Sequence, residues 1–375
     1  MTESLPQRLE HARKLKERAI VELESLLDPK ERKVARRDHH ARRKPRHCGI
    51  TIHTGIGCSY GCVYCYIWDM GFPGKPKPYP LNSLQMAYAL ALNPYVVPRY
   101  TFAAYGSVTE PFLEETKDKA VDYMRTIYRY LLLPIQVSTK SLLTSDLVKK
   151  LINTDPNLSL LISITGISEK ARRLEPRAPD PIMRIEFASY LKGTNIIPTL
   201  FIRPIIPGVT DKEFENILDL ASNAGIRTLV LGTLRVTSGI VRRLKLVGVE
   251  IPPKLLPRRL DIKKQQYISG SHIKRMLEHI ASNKGFLVLP SACSANVYSH
   301  RSACYKCRLG PCGRPSYPSI MEVKDALSIL ELDNYRVVDV SRNAIRLQRT
   351  GKPTKKDEIR LFWLREVSRL DLILA

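Results

Sequence analysis

The residues most able to do chemistry stand in one short run, Gly55-Ile56-Gly57-Cys58-Ser59-Tyr60-Gly61-Cys62-Val63-Tyr64-Cys65-Tyr66. Thiolates hold iron–sulfur clusters, and a four-iron cubane ordinarily takes four protein ligands. Three cysteines on one tight loop leave one iron open to an outside ligand. The spacing therefore points to redox chemistry at an exposed corner of a 4Fe-4S cluster. The competing chemistry is a closed zinc site, with Cys48, His47 or His53 as the fourth ligand. Gaps of three and two residues among three cysteines are unusual for a zinc ribbon.

A second group, Cys293, Cys304, Cys307 and Cys312, has Gly310, Pro311 and Gly313 among it as tight-turn residues. Four thiolates either close a tetrahedral zinc site or ligate a whole second cluster, and neither leaves an open position. Cysteines clustered this closely, in a long chain without a secretion signal, argue for metal ligation over a disulfide framework.

These groups must be positioned by regular elements. Short apolar runs, Gly49–His53, Tyr100–Tyr105, Ile135–Ser138, Leu158–Ile164, Ile197–Arg203, Arg227–Leu231 and Phe286–Leu289, alternate with helical segments such as Glu115–Leu132 and Lys212–Asn223. Strand–helix alternation at this spacing predicts βαβ units and a parallel sheet. Six or seven units suit an α/β fold of the partial or full barrel type, whose chemistry sits at the C-terminal ends of strands. The first cysteine group directly follows the first expected strand.

Outside this core, residues 6–27 carry apolar residues every three or four positions, the pattern of an amphipathic helix. The basic run from Lys30 to Arg46 has no apolar period and is expected as an exposed arm. Residues 241–275 are basic again and broken by Pro252, Pro253 and Pro257, a long loop followed by a helix near Ser271–Ser282. The end of the chain predicts a small α+β module of a helix, two strands (Arg336–Val340 and Ala344–Gln348) and a helix from about Lys356. The expected units are a basic helical extension over 1–46, the barrel over 47–290, a Cys-rich segment over 291–318 and the module over 319–375.

With 44% hydrophobic and 26% charged residues, the composition is that of a folded globular protein. No apolar run reaches the roughly 18 residues that a membrane span needs. Met1 to Leu27 also lacks a signal-peptide pattern, so a cytoplasmic protein is expected. Sixty Lys plus Arg against 36 Asp plus Glu give a formal net charge of +24. Such an excess favours phosphate-rich partners such as nucleic acid; a solvated basic surface is the bland alternative.

Cys58, Cys62, Tyr64 and Cys65, in C-x-x-x-C-x-aromatic-C spacing, resemble the radical SAM signature. That resemblance implies a 4Fe-4S cluster, S-adenosylmethionine, a 5′-deoxyadenosyl radical, a partial (β/α)6-type barrel and an electron donor such as ferredoxin or flavodoxin. Tyr64 would lie against the adenine. Further segments resemble the spore photoproduct lyase-like branch, often labelled DNA repair photolyase. They are Tyr105-Gly-Ser-Val-Thr-Glu110-Pro111, Val137-Ser-Thr-Lys140-Ser, Leu174-Glu-Pro-Arg-Ala-Pro179 and Arg203-Pro-Ile-Ile-Pro-Gly208-Val-Thr-Asp211. The resemblance implies that Gly106, Ser107 and Thr109 approach the methionyl part of S-adenosylmethionine, and that Ser138 and Lys140 reach its carboxylate or ribose. Glu175, Arg177 and Arg203 would line the same mouth, and the backbone near Gly208 the adenine. Rigid loops with a structural ion pair are the ordinary reading of the same residues. The branch also carries a cysteine near the end of the second strand, where this chain has Ala104-Tyr105-Gly106-Ser107, so thymine-dimer reversal is not carried over.

Three functions follow. The first is a radical SAM enzyme, lyase-like or modifying, that abstracts hydrogen from a nucleic acid. The second is a radical SAM maturase of a peptide or small metabolite, its auxiliary cluster anchoring substrate. The third is a non-catalytic, zinc-stapled nucleic-acid-binding protein. Tyr60, Tyr66, Tyr105 and Tyr267 are equally candidates for a hydrogen-atom relay and for plain packing.

Overall fold

Near-continuous apolar runs bury both faces of their strands, which is what a parallel sheet covered by helices requires. The computed structural model describes residues 3–46, 49–304, 317–352 and 354–374. All seven expected strands lie in one parallel sheet: β1 (Ile50–Thr51), β2 (Ala103–Tyr105), β3 (Ile135–Thr139), β4 (Ser159–Ser163), β5 (Ile197–Ile205), β6 (Thr228–Thr233) and β7 (Leu287–Leu289). Each strand pairs with the one before it, in registers such as Ala103↔Ile135, Val137↔Leu160 and Leu200↔Leu229. The edges β1 and β7 do not meet, so the barrel is open.

Alternate residues divide the two faces. Ile135, Val137, Leu160, Ile162, Leu200, Ile202, Leu229 and Leu231 pack outward into the main core shared with the helices. Two of those helices are Lys117–Leu131 and Thr210–Asn223, close to their expected limits. The latter ends as the sequence suggests. Gly225 adopts φ +89°, and Ile226 N–H returns to the Ala221 carbonyl, closing the last turn.

The inner face is filled from below by a helix the sequence reading did not assign, Ala292–Ser299. Ala295 packs on Leu161, Val230 and Leu289. Gln136 Nε2 donates to the Ala292 carbonyl at 2.6 Å, and Asn296 Nδ2 donates to the Pro134 carbonyl at 3.4 Å. His300 Nε2 lies 2.9 Å from the Asp155 carboxylate, which also accepts the N–H of Ile135. Because Pro134 and Asp155 precede β3 and β4, this helix closes the N-terminal end of the bore.

The basic stretch after residue 28, expected as an exposed arm, is folded onto the barrel's helices. Pro29–Arg37 is a helix opened by a capping box between Asp28 and Glu31, and it packs on the helix Ser83–Leu92. Its charged side chains stay at the surface while Ala35 and His40 are buried. Capping and the single buried Ala35 suffice here, a pattern too sparse to register as periodicity. The first helix, Leu5–Leu26, spans two cores. Ala19 and Leu23 join the barrel, whereas Leu5, Leu9 and Ala12 pack with Val323, Leu327, Phe362 and Leu364 of the C-terminal module. That module holds β8 (Tyr335–Val340) and β9 (Ala344–Arg349), antiparallel, and an unforeseen β10 (Asp371–Leu374) parallel to β9. Among the described residues no helix is long and apolar enough to cross a membrane.

Candidate active site at the barrel mouth

The chain leaves β1 and enters the cysteine loop at the C-terminal end of the sheet. Gly57 turns there with φ +88°, and a Cβ on it would stand 2.3 Å from the Pro73 carbonyl oxygen. Any other residue would push the loop off its support. Cys62 is buried, Cys58 and Cys65 partly so. Burial pushes all three thiols up in pKa. A metal reverses that preference, because thiolate is the form that ligates.

Side chains from elsewhere hold the loop by its backbone carbonyls. Arg243, on the helix Ser238–Leu246, donates from Nε to the Val63 carbonyl (2.9 Å) and from Nη2 to the Cys65 carbonyl (3.1 Å). It also forms a two-point pair with Asp69 at 2.7 and 3.0 Å. Asp69 accepts in addition from the Thr237 hydroxyl at 2.6 Å, and Trp68 Nε1 donates to the Cys62 carbonyl at 3.3 Å. Val63 N–H bonds the Leu174 carbonyl, and Arg177 N–H bonds the Tyr60 carbonyl. Residues 241–275 were expected as a loop; their start is instead the helix that grips the cysteines. Arg243 stood in a row of basic residues and gave no local signal of this role.

Around the loop, β3 sets the depth of the bore. Gln136 faces the plug below, and Ser138 Oγ lies 3.4 Å from the carbonyl oxygens of Tyr105 and Gly106. Higher up, Lys140 Nζ stands 5.8 Å above the Tyr64 ring. Gly106 has φ +99°, and a Cβ there would come 2.4 Å from the Ser138 carbonyl oxygen. Buried Glu110 accepts from the Thr139 hydroxyl (2.5 Å) and the Lys140 N–H (2.9 Å), tying the loops after β2 and β3 together. Burial pushes its carboxyl up. The Tyr66 hydroxyl donates to the Ser107 carbonyl at 2.6 Å.

Glu175 turns inward. Its carboxylate takes Arg184 Nη2 at 2.5 Å, the Thr165 hydroxyl at 3.1 Å and the Tyr64 hydroxyl. Burial works against that charge, but Arg184 and Lys140 hold the carboxyl below its usual range. Burial likewise opposes the charge on Lys140, which Glu175 nevertheless keeps raised. Arg184, fully enclosed and bonded to the Ser163 carbonyl, is the partner that sequence reading missed.

The expected ligand-contact residues thus divide. Tyr64, Gly106, Ser107, Ser138, Lys140 and Glu175 come together around the cysteine loop. Arg177 is exposed, with its guanidinium against Gly61, where an added Cβ would come 2.9 Å from Nη2. Arg203 is exposed alongside Gly232. The Gly208 N–H is bonded to Asp211 at 2.6 Å, a turn leading into the helix Thr210–Asn223. Thr109 is buried, and its Oγ1 has no hydrogen-bond partner among the described residues. A buried hydroxyl of that kind costs free energy until something meets it.

The three thiols suit a cluster with an open corner. They sit on one loop, Cys62 buried and Cys58 and Cys65 partly so. Nearby, the buried Thr109 hydroxyl has no partner among the described residues, and Gly106 lets the loop after β2 lie against the Ser138 carbonyl. The class defined here is an open parallel α/β barrel whose first strand leads into a cysteine loop at the C-terminal end of the sheet.

The comparisons with known proteins agree. Residues 52–221 match the model of the Radical SAM superfamily. The chain therefore carries a radical SAM domain, the catalytic domain of an enzyme superfamily built on a 4Fe-4S cluster and S-adenosylmethionine. No curated protein matches the sequence. Among solved structures, a doubly substituted spore photoproduct lyase with bound AdoMet and dinucleoside spore photoproduct is similar at 13% identity, covering 64% of this chain and 76% of that one, with a TM-score of 0.51. SuiB of Streptococcus suis bound to S-adenosylmethionine follows at 10% identity, 65% and 50% coverage and a TM-score of 0.45. Methylornithine synthase (PylB) shows 13% identity, 93% and 99% coverage and a TM-score of 0.42. At these identities the likeness is one of fold. The non-catalytic zinc-protein reading is overturned by the radical SAM domain.

Of the second cysteine group, Cys307 and Cys312 lie outside the described residues. Cys293 and Cys304 are buried, the first on the plug helix and the second against Phe102 and Val297. Both stand toward the N-terminal end of the bore, away from the mouth.

Proposed function

We propose that this radical SAM enzyme acts on a nucleic acid. Bound at the mouth, the cluster and S-adenosylmethionine would supply reductive cleavage to a 5′-deoxyadenosyl radical, with an electron from a donor such as ferredoxin or flavodoxin. Cys58, Cys62 and Cys65 would hold the cluster. Tyr64, Gly106, Ser107, Thr109, Ser138 and Lys140 are the residues best placed to hold S-adenosylmethionine, and Arg177 and Arg203 stand outside them. Glu175 fixes Tyr64 and Lys140 from within.

One observation carries the choice of substrate. The basic segment after β6 grips the cysteine loop through Arg243 while Arg242, Lys245, Lys254, Arg258, Arg259, Lys263 and Lys264 are exposed. Within it, exposed Tyr267 lies under the Arg235 guanidinium at 4.2 Å. Cations that neutralise phosphates beside an exposed ring are the makings of a single-strand surface. The remote position of Cys293 and Cys304 weighs against an auxiliary cluster that anchors substrate at the mouth. For the second cysteine group we propose a structural metal, a second 4Fe-4S cluster or zinc.

The test is anaerobic turnover with single-stranded RNA and DNA oligonucleotides carrying deuterium on the sugars and bases. Deuterium appearing in 5′-deoxyadenosine, with binding that weakens steeply in salt, is the expected outcome. Unlabelled 5′-deoxyadenosine at the same rate with and without oligonucleotide would remove nucleic acid as substrate.

A further inference from the structure

Away from the cysteines, one cluster of side chains has the makings of a metal site. His39 and His40 lie in a short 3-10 turn, His39–Ala41, and His53 follows β1, five residues before Cys58. Each offers one ring nitrogen, and these all fall within 4.8 Å of one another. The ring centroids are 4.0 Å (His39–His40), 5.1 Å (His40–His53) and 5.3 Å (His39–His53) apart. His53 Nδ1 stands 3.2 Å from His40 Nε2. Two nitrogens bound at about 2.0–2.1 Å to a tetrahedral zinc lie about 3.3 Å apart, so this pair is already at ligand spacing.

The surroundings supply what an imidazole ligand ordinarily requires. A metal-bound histidine almost always gives its other ring N–H to a carboxylate or carbonyl, which fixes the ring and strengthens the donor. His40 Nδ1 meets the Asp38 carboxylate at 2.7 Å, leaving Nε2 to face the cluster. Asp38 is itself fixed by the His40 N–H (2.8 Å) and the Tyr79 hydroxyl (2.7 Å). Tyr79 also lies 3.2 Å from His39 Nδ1. Of the neighbouring cations, Arg43 is anchored on the Thr51 carbonyl. Burial and the neighbouring positive charges keep all three imidazoles below the ordinary range, His53 down to about 3. They are therefore neutral lone-pair donors at neutral pH.

We propose that His39, His40 and His53 bind one zinc ion, with Asp38 as the carboxylate behind His40. Three protein nitrogens leave a fourth position, and His39 is half-exposed, so that position opens toward solvent. The ion joins the basic N-terminal segment to the residues that lead into the cysteine loop. Its ligands share no residue with either cysteine group, and the site stands whether or not the substrate is a nucleic acid.

The experiment is titration of Co²⁺, as a spectroscopic stand-in for zinc, into the anaerobically reconstituted full-length protein. Wild type should take up about one cobalt with weak visible bands and no thiolate-to-cobalt charge-transfer band. Zinc should displace it, and the Cys58/Cys62/Cys65→Ala variant should retain it. His39→Ala removes a half-exposed side chain and leaves the fold intact; it should weaken binding at least about tenfold, as should His53→Gln. Cobalt bound with thiolate bands alone, no cobalt bound, or a His39→Ala variant unchanged in affinity and spectrum would each overturn the assignment.

Discussion

Two cysteine regions sit at opposite ends of one barrel, and they are held in opposite ways. At the mouth the loop carrying Cys58, Cys62 and Cys65 packs Val63, Tyr64 and Tyr66 on a small apolar cluster and is further held by its backbone. Arg243, Trp68 and Arg177 fasten its backbone. At the other end Cys293 rides on a helix driven into the bore, locked by Gln136, Asn296 and His300. One region is tethered from outside through its backbone carbonyls, whereas the other is carried by a helix buried in the bore.

The comparison breaks most visibly if the mouth cysteines are removed. Cys58/Cys62/Cys65→Ala should abolish 5′-deoxyadenosine formation and, where the second site holds a cubane, lower iron from about eight to about four per chain. Cys293→Ala should leave the reaction detectable and show its effect in thermal denaturation instead. Equal loss of turnover from both variants would erase the distinction.

Arg243→Ala sharpens it next. Loss of the clamp on the Val63 and Cys65 carbonyls should cost about 10–100-fold in S-adenosylmethionine cleavage, the range for groups that orient metal ligands. Iron content in the freshly reconstituted variant, alongside its turnover, separates misplacement of the loop from failure to assemble a cluster. Full activity in Arg243→Ala would show that the loop holds itself.

Beneath the mouth, Glu175→Gln leaves Arg184 as a buried charge without its counterion. Denaturant unfolding should report a loss of about 3–5 kcal/mol, with much of it recovered in Glu175→Gln/Arg184→Met. No recovery in the double variant would mean that Glu175 acts mainly through Tyr64 and Thr165.

The smallest effect concerns the joint between barrel and C-terminal module. Lys16 donates to the Asn93 and Val96 carbonyls and lies 5.3 Å from the Trp363 ring centre. Burial lowers its pKa from 10.5 to about 7. Between those values the unfolded chain holds a proton that the folded protein has released, so stability should rise as pH climbs from about 7 toward 10. Lys16→Met should flatten that slope. A slope unchanged in the variant would show that Lys16 stays charged when folded.

Much of this was legible in the residues alone. Seven apolar runs became seven parallel strands because a strand buried on both faces must be apolar throughout, and that is a local property. The spacing of Cys58, Cys62 and Cys65 was legible for the same reason, since residues on one turn need no distant partner to be brought together. Gly57 and Gly106 were set by backbone sterics. What sequence could not assign were the pairings made across long separations. Arg243 reaching Asp69 and the helix Ala292–Ser299 filling the bore join residues whose immediate neighbours say nothing of their partners. His39, His40 and His53 are three unremarkable histidines until the turn after Asp38 folds onto β1. Local pattern decided the elements and the cluster loop; tertiary structure decided which charges clamp it, because burial and geometry, not residue type, select a charge's partner.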